Sequence, residues 1–212
     1  ETKKGFARLL SLLSDSRKFH ENFAKQFPDE WIARAGLADY YHFLPGFLGG
    51  SKEKAEKLYL EAAGLGADPE ALYRRLLFYL NAPEEMPMKE PRSKTCADIL
   101  TELEKSLLSK TVSGDIKLLY LKRWTVYQRG VWYFWSAKPR EALAKMNEHL
   151  AENPRSYWTW YFLWRIGRYE PGLVGATLPS PEISFQNALR IAGELDDPVF
   201  IDRIKSESRK KN

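Results

Sequence analysis

The stretch from Trp124 to Pro154, WTVYQRGVWYFWSAKPREALAKMNEHLAENP, limits what this chain can fold into more than any other. It holds two helical patterns joined at Ser136-Ala-Lys-Pro139 and closed by Asn153-Pro154. At ~3.6 residues per turn, Val126, Gly130 and Tyr133 share one face of the first pattern, and Trp124, Tyr127, Val131 and Phe134 share another. A helix apolar on two sides lies between neighbours or offers one aromatic face to a partner, because no single packing element covers both stripes. The second pattern has one apolar side only, made of Ala142, Leu143, Met146, His149 and Leu150. It opens at Lys138-Pro139, with Pro at the first helical position, where its missing N–H is not needed.

The same helical spacing runs through the rest of the chain. Residues 5–27 carry Phe6, Leu9, Leu10, Leu12, Leu13, Phe19, Phe23 and Phe27, with Ser14-Asp15-Ser16 as a candidate break, and read as one or two packing helices. Pro28-Asp29-Glu30 opens a helix expected over Trp31–Phe43, and Leu44-Pro-Gly-Phe-Leu-Gly-Gly50 forms a loop. Gly49, Gly50, Ser51 and Lys52 imitate a phosphate cradle, but the order is wrong for a P-loop and no strand precedes it. The better reading is a helix hairpin with Ser51 as N-cap. Asp68-Pro69-Glu70 starts another helix, reaching Leu80. The run 81–93 holds Pro83, Pro87 and Pro91 among charges and reads as a surface linker. An amphipathic helix follows from Thr95 through Leu108, and Val112-Ser-Gly-Asp115 turns the chain into the element that begins this section. Beyond Pro154, Trp158, Tyr161, Arg165 and Arg168 share one helix face, while Trp160, Leu163 and Trp164 share another. Residues 169–179 form a loop, Ser180-Pro181-Glu182 caps a helix with Phe185, Ala188, Leu189 and Ala192, and Asp197-Pro198 opens a closing helix. No segment alternates with the period of a strand. The expected fold is therefore all-α, antiparallel helix pairs stacked in sequence order. With 212 residues, 44% hydrophobic and 29% charged, the chain is long enough for one large domain or a short repeat array, here taken as a single domain over 1–212.

Gly130, Tyr133, Ala142 and Pro154 keep the spacing of the tetratricopeptide repeat, a unit of ~34 residues with Gly and Tyr on its first helix, Ala on its second and Pro at its exit. On these residues the chain resembles that family. Repeat-like units fall near 28–69, 117–154 and 157–198, with the last helix, 197–212, as a cap. Ala55, Tyr59 and Ala62 match the second-helix offsets of the first unit, and Trp160 and Leu163 take the family's Trp and Leu positions in the last. The last unit departs from the pattern, since Trp164 stands where the Gly belongs. The phrase YHFLPGFLGGSKEKAEKLY is similar to the hairpin of bacterial envelope-associated members, with a loop longer than the compact repeat by about seven residues.

The resemblance implies a concave groove lined by Trp124, Tyr127, Val131, Phe134, Trp158, Tyr161, Arg165 and Arg168. Such a groove holds a protein or peptide by aromatic anchors with arginines at one side. Six of the seven Trp lie between 124 and 164, which fits. The same stripe also reads as core, and Arg165 and Arg168 also read as surface charges or partners of Glu170 and Glu182. The expected function is thus a non-catalytic protein or peptide-binding scaffold. The alternative is a carrier for a small apolar molecule in a helical cavity lined by Trp124, Trp132, Trp135 and Trp160.

Chemistry is sparse. His20, His42 and His149 are far apart, with no His-x-x-x-His pair for zinc, and His149 sits on the packing side of its helix. Cys96 stands alone and reads as a buried thiol. No enzyme, cofactor or metal is expected. The net charge of +5 is spread along the chain apart from Lys205 and the basic end, so no nucleic-acid partner is expected either. No apolar run reaches the ~18 residues of a membrane-spanning helix. The start at Glu1 rather than Met suggests a trimmed leader, which favours a periplasmic or envelope location over a cytoplasmic one.

Overall fold

The computed structural model describes residues 2–66, 68–80, 86–110, 115–175 and 178–209, with side chains for residue 8 and from residue 10 onward. The fold is all-α. Ten α-helices are present among the described residues: α1 (Thr2–Gln26), α2 (Trp31–Phe43), α3 (Lys52–Gly64), α4 (Pro69–Leu80), α5 (Arg92–Ser109), α6 (Ile116–Trp135), α7 (Pro139–Glu152), α8 (Tyr157–Tyr169), α9 (Pro181–Glu194) and α10 (Pro198–Arg209). Helices adjacent in sequence pack pairwise, most extensively α2 with α3, α6 with α7 and α8 with α9. The chain divides into two compact units, the first from 1–81 and 98–113, the second from 82–97 and 114–212, so the boundary falls inside α5.

In the first unit α2 and α3 meet through small residues. Ala33, Ala35 and Ala38 on α2 and Ala55 and Ala62 on α3 are fully buried, and side chains this short let two helix backbones approach closely. Ser51 caps α3 by accepting the Lys54 N–H at 3.2 Å, and its own N–H donates to the Tyr41 carbonyl at 2.9 Å. The glycine loop is thus a helix hairpin. Gly50 has no alternative there, because a Cβ would sit 1.8 Å from the Leu44 carbonyl oxygen. One polar cluster joins three helices: the Asp39 carboxylate on α2 accepts from the Tyr59 hydroxyl on α3 and from Arg74 on α4, the latter at 2.6 Å. Glu70 holds the other edge of the same guanidinium at 3.0 Å.

α1 runs unbroken through the candidate break at Ser14-Asp15-Ser16, so the stretch is one helix rather than two. With neither Pro nor Gly in that triplet, nothing stops the hydrogen-bond ladder, and Arg17 and Glu21 pair one turn on.

In the second unit α6 to α10 follow one another, each packed on the next, with α6 also reaching α8. Asp115 caps α6 by accepting the N–H groups of Lys117 and Leu118, and Ser156 and Ser180 cap α8 and α9 in the same way. Gly130 lies at the α6–α7 crossing: a Cβ there would fall 2.8 Å from the Met146 methyl and 3.2 Å from Lys145 Cβ. Ala142 on α7 is fully buried. The α8–α9 pair places its glycine one turn later than the repeat pattern does. Trp164 occupies the usual position and packs on Phe185 of α9, while Gly167 makes the close approach, with Pro181 Cγ 2.9 Å from where a Cβ would be.

Of the proline-rich run, 81–85 lies outside the described residues. Met88 is buried and donates its N–H to the Trp135 carbonyl at 2.6 Å, and α5 begins at Arg92 rather than Thr95. This part of the run is docked in the second unit, because Met88 and Cys96 bury their sulfurs together, 4.0 Å apart.

Candidate functional site

The eight residues expected to line a groove all belong to the second unit, on α6 and α8, and burial divides them evenly. Tyr127, Val131, Phe134 and Tyr161 are at most 5% exposed. Tyr127 and Phe134 both meet Phe162 of α8 edge-to-face, with ring centroids 5.8 and 5.6 Å apart, so this part of the stripe is the α6–α8 packing surface. Trp124, Trp158, Arg165 and Arg168 are half-buried.

Helix spacing brings the second set onto the first. Trp124 leans on Tyr127 and on His149, which is 2% exposed between the two rings. His149 Nδ1 lies 2.7 Å from the Thr159 hydroxyl, and burial holds its pKa below the ordinary histidine value, with Glu152 opposing and Arg123 adding. It is a packed core histidine. Trp158 meets Phe200 of α10 edge-to-face, centroids 4.7 Å apart, under the guanidinium of Arg203 at 5.7 Å.

Arg165 is the centre of the arrangement. Its guanidinium carbon lies 4.6 Å from the Trp135 centroid, 5.0 Å from Phe134, 5.6 Å from Tyr161 and 5.7 Å from Phe162. The rings hold the charge by their quadrupoles and by the flat apolar faces of the guanidinium, which is weakly hydrated. The described contacts of Arg165 are thus aromatic, and neither Glu170 nor Glu182 is among them. Beside it the Tyr161 hydroxyl donates to Glu207 of α10; burial pushes that phenol up to about 12, with the nearby Arg165 charge opposing and the bond to Glu207 adding. Arg168 is held elsewhere, 5.1 Å over Trp164, whose ring packs on α9.

Sequence reading missed Trp135 and Phe162 as the rings beneath Arg165, and it missed the contribution of α10. The signal was present: Phe200, Arg203 and Glu207 recur at offsets of three and seven on one face of that helix. Elsewhere, Cys96 is fully buried and its thiol is pushed up to about 12 by burial, which makes it a poor nucleophile. Among the described residues no three His, Cys, Asp or Glu side chains are grouped to hold a metal ion, and no helix is long and apolar enough to cross a membrane. What the expected groove residues of α6 and α8 leave half-buried is two indoles, Trp124 and Trp158, and two guanidinium groups, Arg165 and Arg168, side chains suited to non-covalent contact. Comparison of the chain with protein-family models and with curated proteins finds no match.

Proposed function

We propose that the chain is a non-catalytic binding scaffold of the tetratricopeptide type, whose second unit takes a protein or peptide segment across α6, α8 and α10. The observation that carries this reading is the half-buried Arg165, fixed over four rings while its N–H edge makes, among the described residues, one long contact, 3.5 Å, to the Tyr161 hydroxyl. An arginine fixed in this way loses little side-chain freedom on binding, and Trp and Arg are the residue types that dominate interface energetics. Trp158 and Arg203 extend the same wall. The Gly130 and Ala142 positions at the α6–α7 pair support the tetratricopeptide part of the reading.

A displayed library of random peptides, selected on the full chain, tests it. Selected peptides should lose about thirtyfold or more in affinity on Trp158→Ala with Arg165→Ala, corresponding to the ~2 kcal/mol of a hot-spot pair. Equal binding by wild type and double variant, with helix content unchanged, would remove α6, α8 and α10 as the binding wall.

A further inference from the structure

A second site lies in the first unit, apart from the wall just described and independent of its reading. A cavity of about 500 Å³ opens between α1, α2 and α4, in the size range of small-molecule sites. Its sides are apolar: Leu13 of α1, Ile32 and Phe43 of α2, and the ring of Tyr40. His20 closes one side by packing against Gly36, where a Cβ would fall 2.3 Å from the imidazole. Asp39 and Arg74 line the cavity as well.

Arg74 is held by two carboxylates, Asp39 at 2.6 Å and Glu70 at 3.0 Å. Asp39 is the carboxylate that lines the cavity, and its side chain remains 32% exposed. It is also rigid. One oxygen accepts from Tyr59, a fully packed residue, and the other from Arg74. Each carboxylate oxygen has two lone pairs, so acceptor capacity is left for a further donor. A positive head beside Asp39 would also have the rings of Tyr40 and Phe43 on the same wall, and aromatic faces attract cations. The guanidinium of Arg74 does not favour an anion, because both its bonded edges already face carboxylates.

We propose that this cavity binds a small organic amine, with a protonated nitrogen on Asp39 and an apolar or aromatic body against Leu13, Ile32 and Phe43. The bond is charge-assisted and the body fills apolar space, so head and body both contribute.

The test is titration of the full chain, followed through backbone amide NMR shifts in α2, with three probes that share a phenyl group and differ in charge. Phenethylamine should shift α2 amides saturably, while 2-phenylethanol and 3-phenylpropanoate bind at least about tenfold more weakly, which is the low end for a hydrogen bond to a charged group. Asp39→Asn should remove the preference for the amine. Ile32→Trp should block all three probes by filling the cavity; Ile32 is 47% exposed, so this variant keeps the fold even where Asp39→Asn does not. No saturable shift with phenethylamine, equal binding of the carboxylate, or undiminished binding by Ile32→Trp would each overturn the proposal.

Discussion

The two units bind three consecutive helices together by different means. In the first, a charged cluster joins α2, α3 and α4 beside a smaller ring cluster: Asp39, Tyr59 and Arg74 meet around one carboxylate, and His42, Tyr59 and Phe78 pack ring against ring among alanines. In the second, α6, α7 and α8 are joined by rings, with Tyr127, His149, Phe134 and Phe162 packed edge against face. Ring packing removes large apolar areas from water, whereas Asp39 and Arg74 are each about a third exposed, so solvent screens much of their attraction. The comparison teaches that the polar junction serves mainly to specify geometry, while the aromatic junction contributes more to stability.

The sharpest way to break that contrast is Phe134→Ala, which should cost about 3–5 kcal/mol, as truncation of a buried Phe does. Amide hydrogen exchange should register the loss in α6 to α8. A loss under about 1 kcal/mol would mean that the ring cluster is not what secures this unit. Next comes Tyr59→Phe, which leaves one oxygen of Asp39 without its donor and should cost about 1–3 kcal/mol, read as faster exchange in α2 to α4. No change there would show the polar junction to be energetically idle. The smallest effect concerns acid. Burial holds both His42 and His149 below the ordinary value of 6.5, with Asp39 and Glu152, respectively, opposing. Below pH 6.5 the unfolded chain takes up protons that the folded chain resists, so stability is complete above that pH and falls as the pH drops through it. His149→Gln should flatten this acid loss for amides of α7 and α8 and leave it intact for α2. An unaltered slope in α7 would show that His149 is not its source.

The all-α class and the helix ends were legible because caps and prolines are local chemistry. Ser51, Asp115, Ser156 and Ser180 each cap the helix that follows, and Pro139, Pro181 and Pro198 each stand at a first helical position. Gly130 was legible for the same reason, since its offset from Tyr133 is a property of one helix. The candidate wall was only half legible. A stripe of Trp124, Tyr127, Val131 and Phe134 states that one side is apolar, but whether a neighbour covers it depends on where α8 lies, and periodicity within α6 holds no information about that. Arg165 shows the same limit. Its spacing from Tyr161 is local, while Trp135, the nearest ring, stands 30 residues earlier and comes close only through the stacking of pairs. Gly167 escaped because the repeat pattern directs attention to position 164.

The Asp39 carboxylate draws its two partners from 20 and 35 residues downstream. A fragment ending after α3 would retain the tyrosine but leave the anion without its guanidinium, in a setting where three alanines contribute little burial of their own. The first hairpin is therefore an incomplete object, whose negative centre is neutralised only once α4 has been added. Truncation before Arg74 removes more than one helix from the end, because it also withdraws the counter-charge on which the preceding two converge.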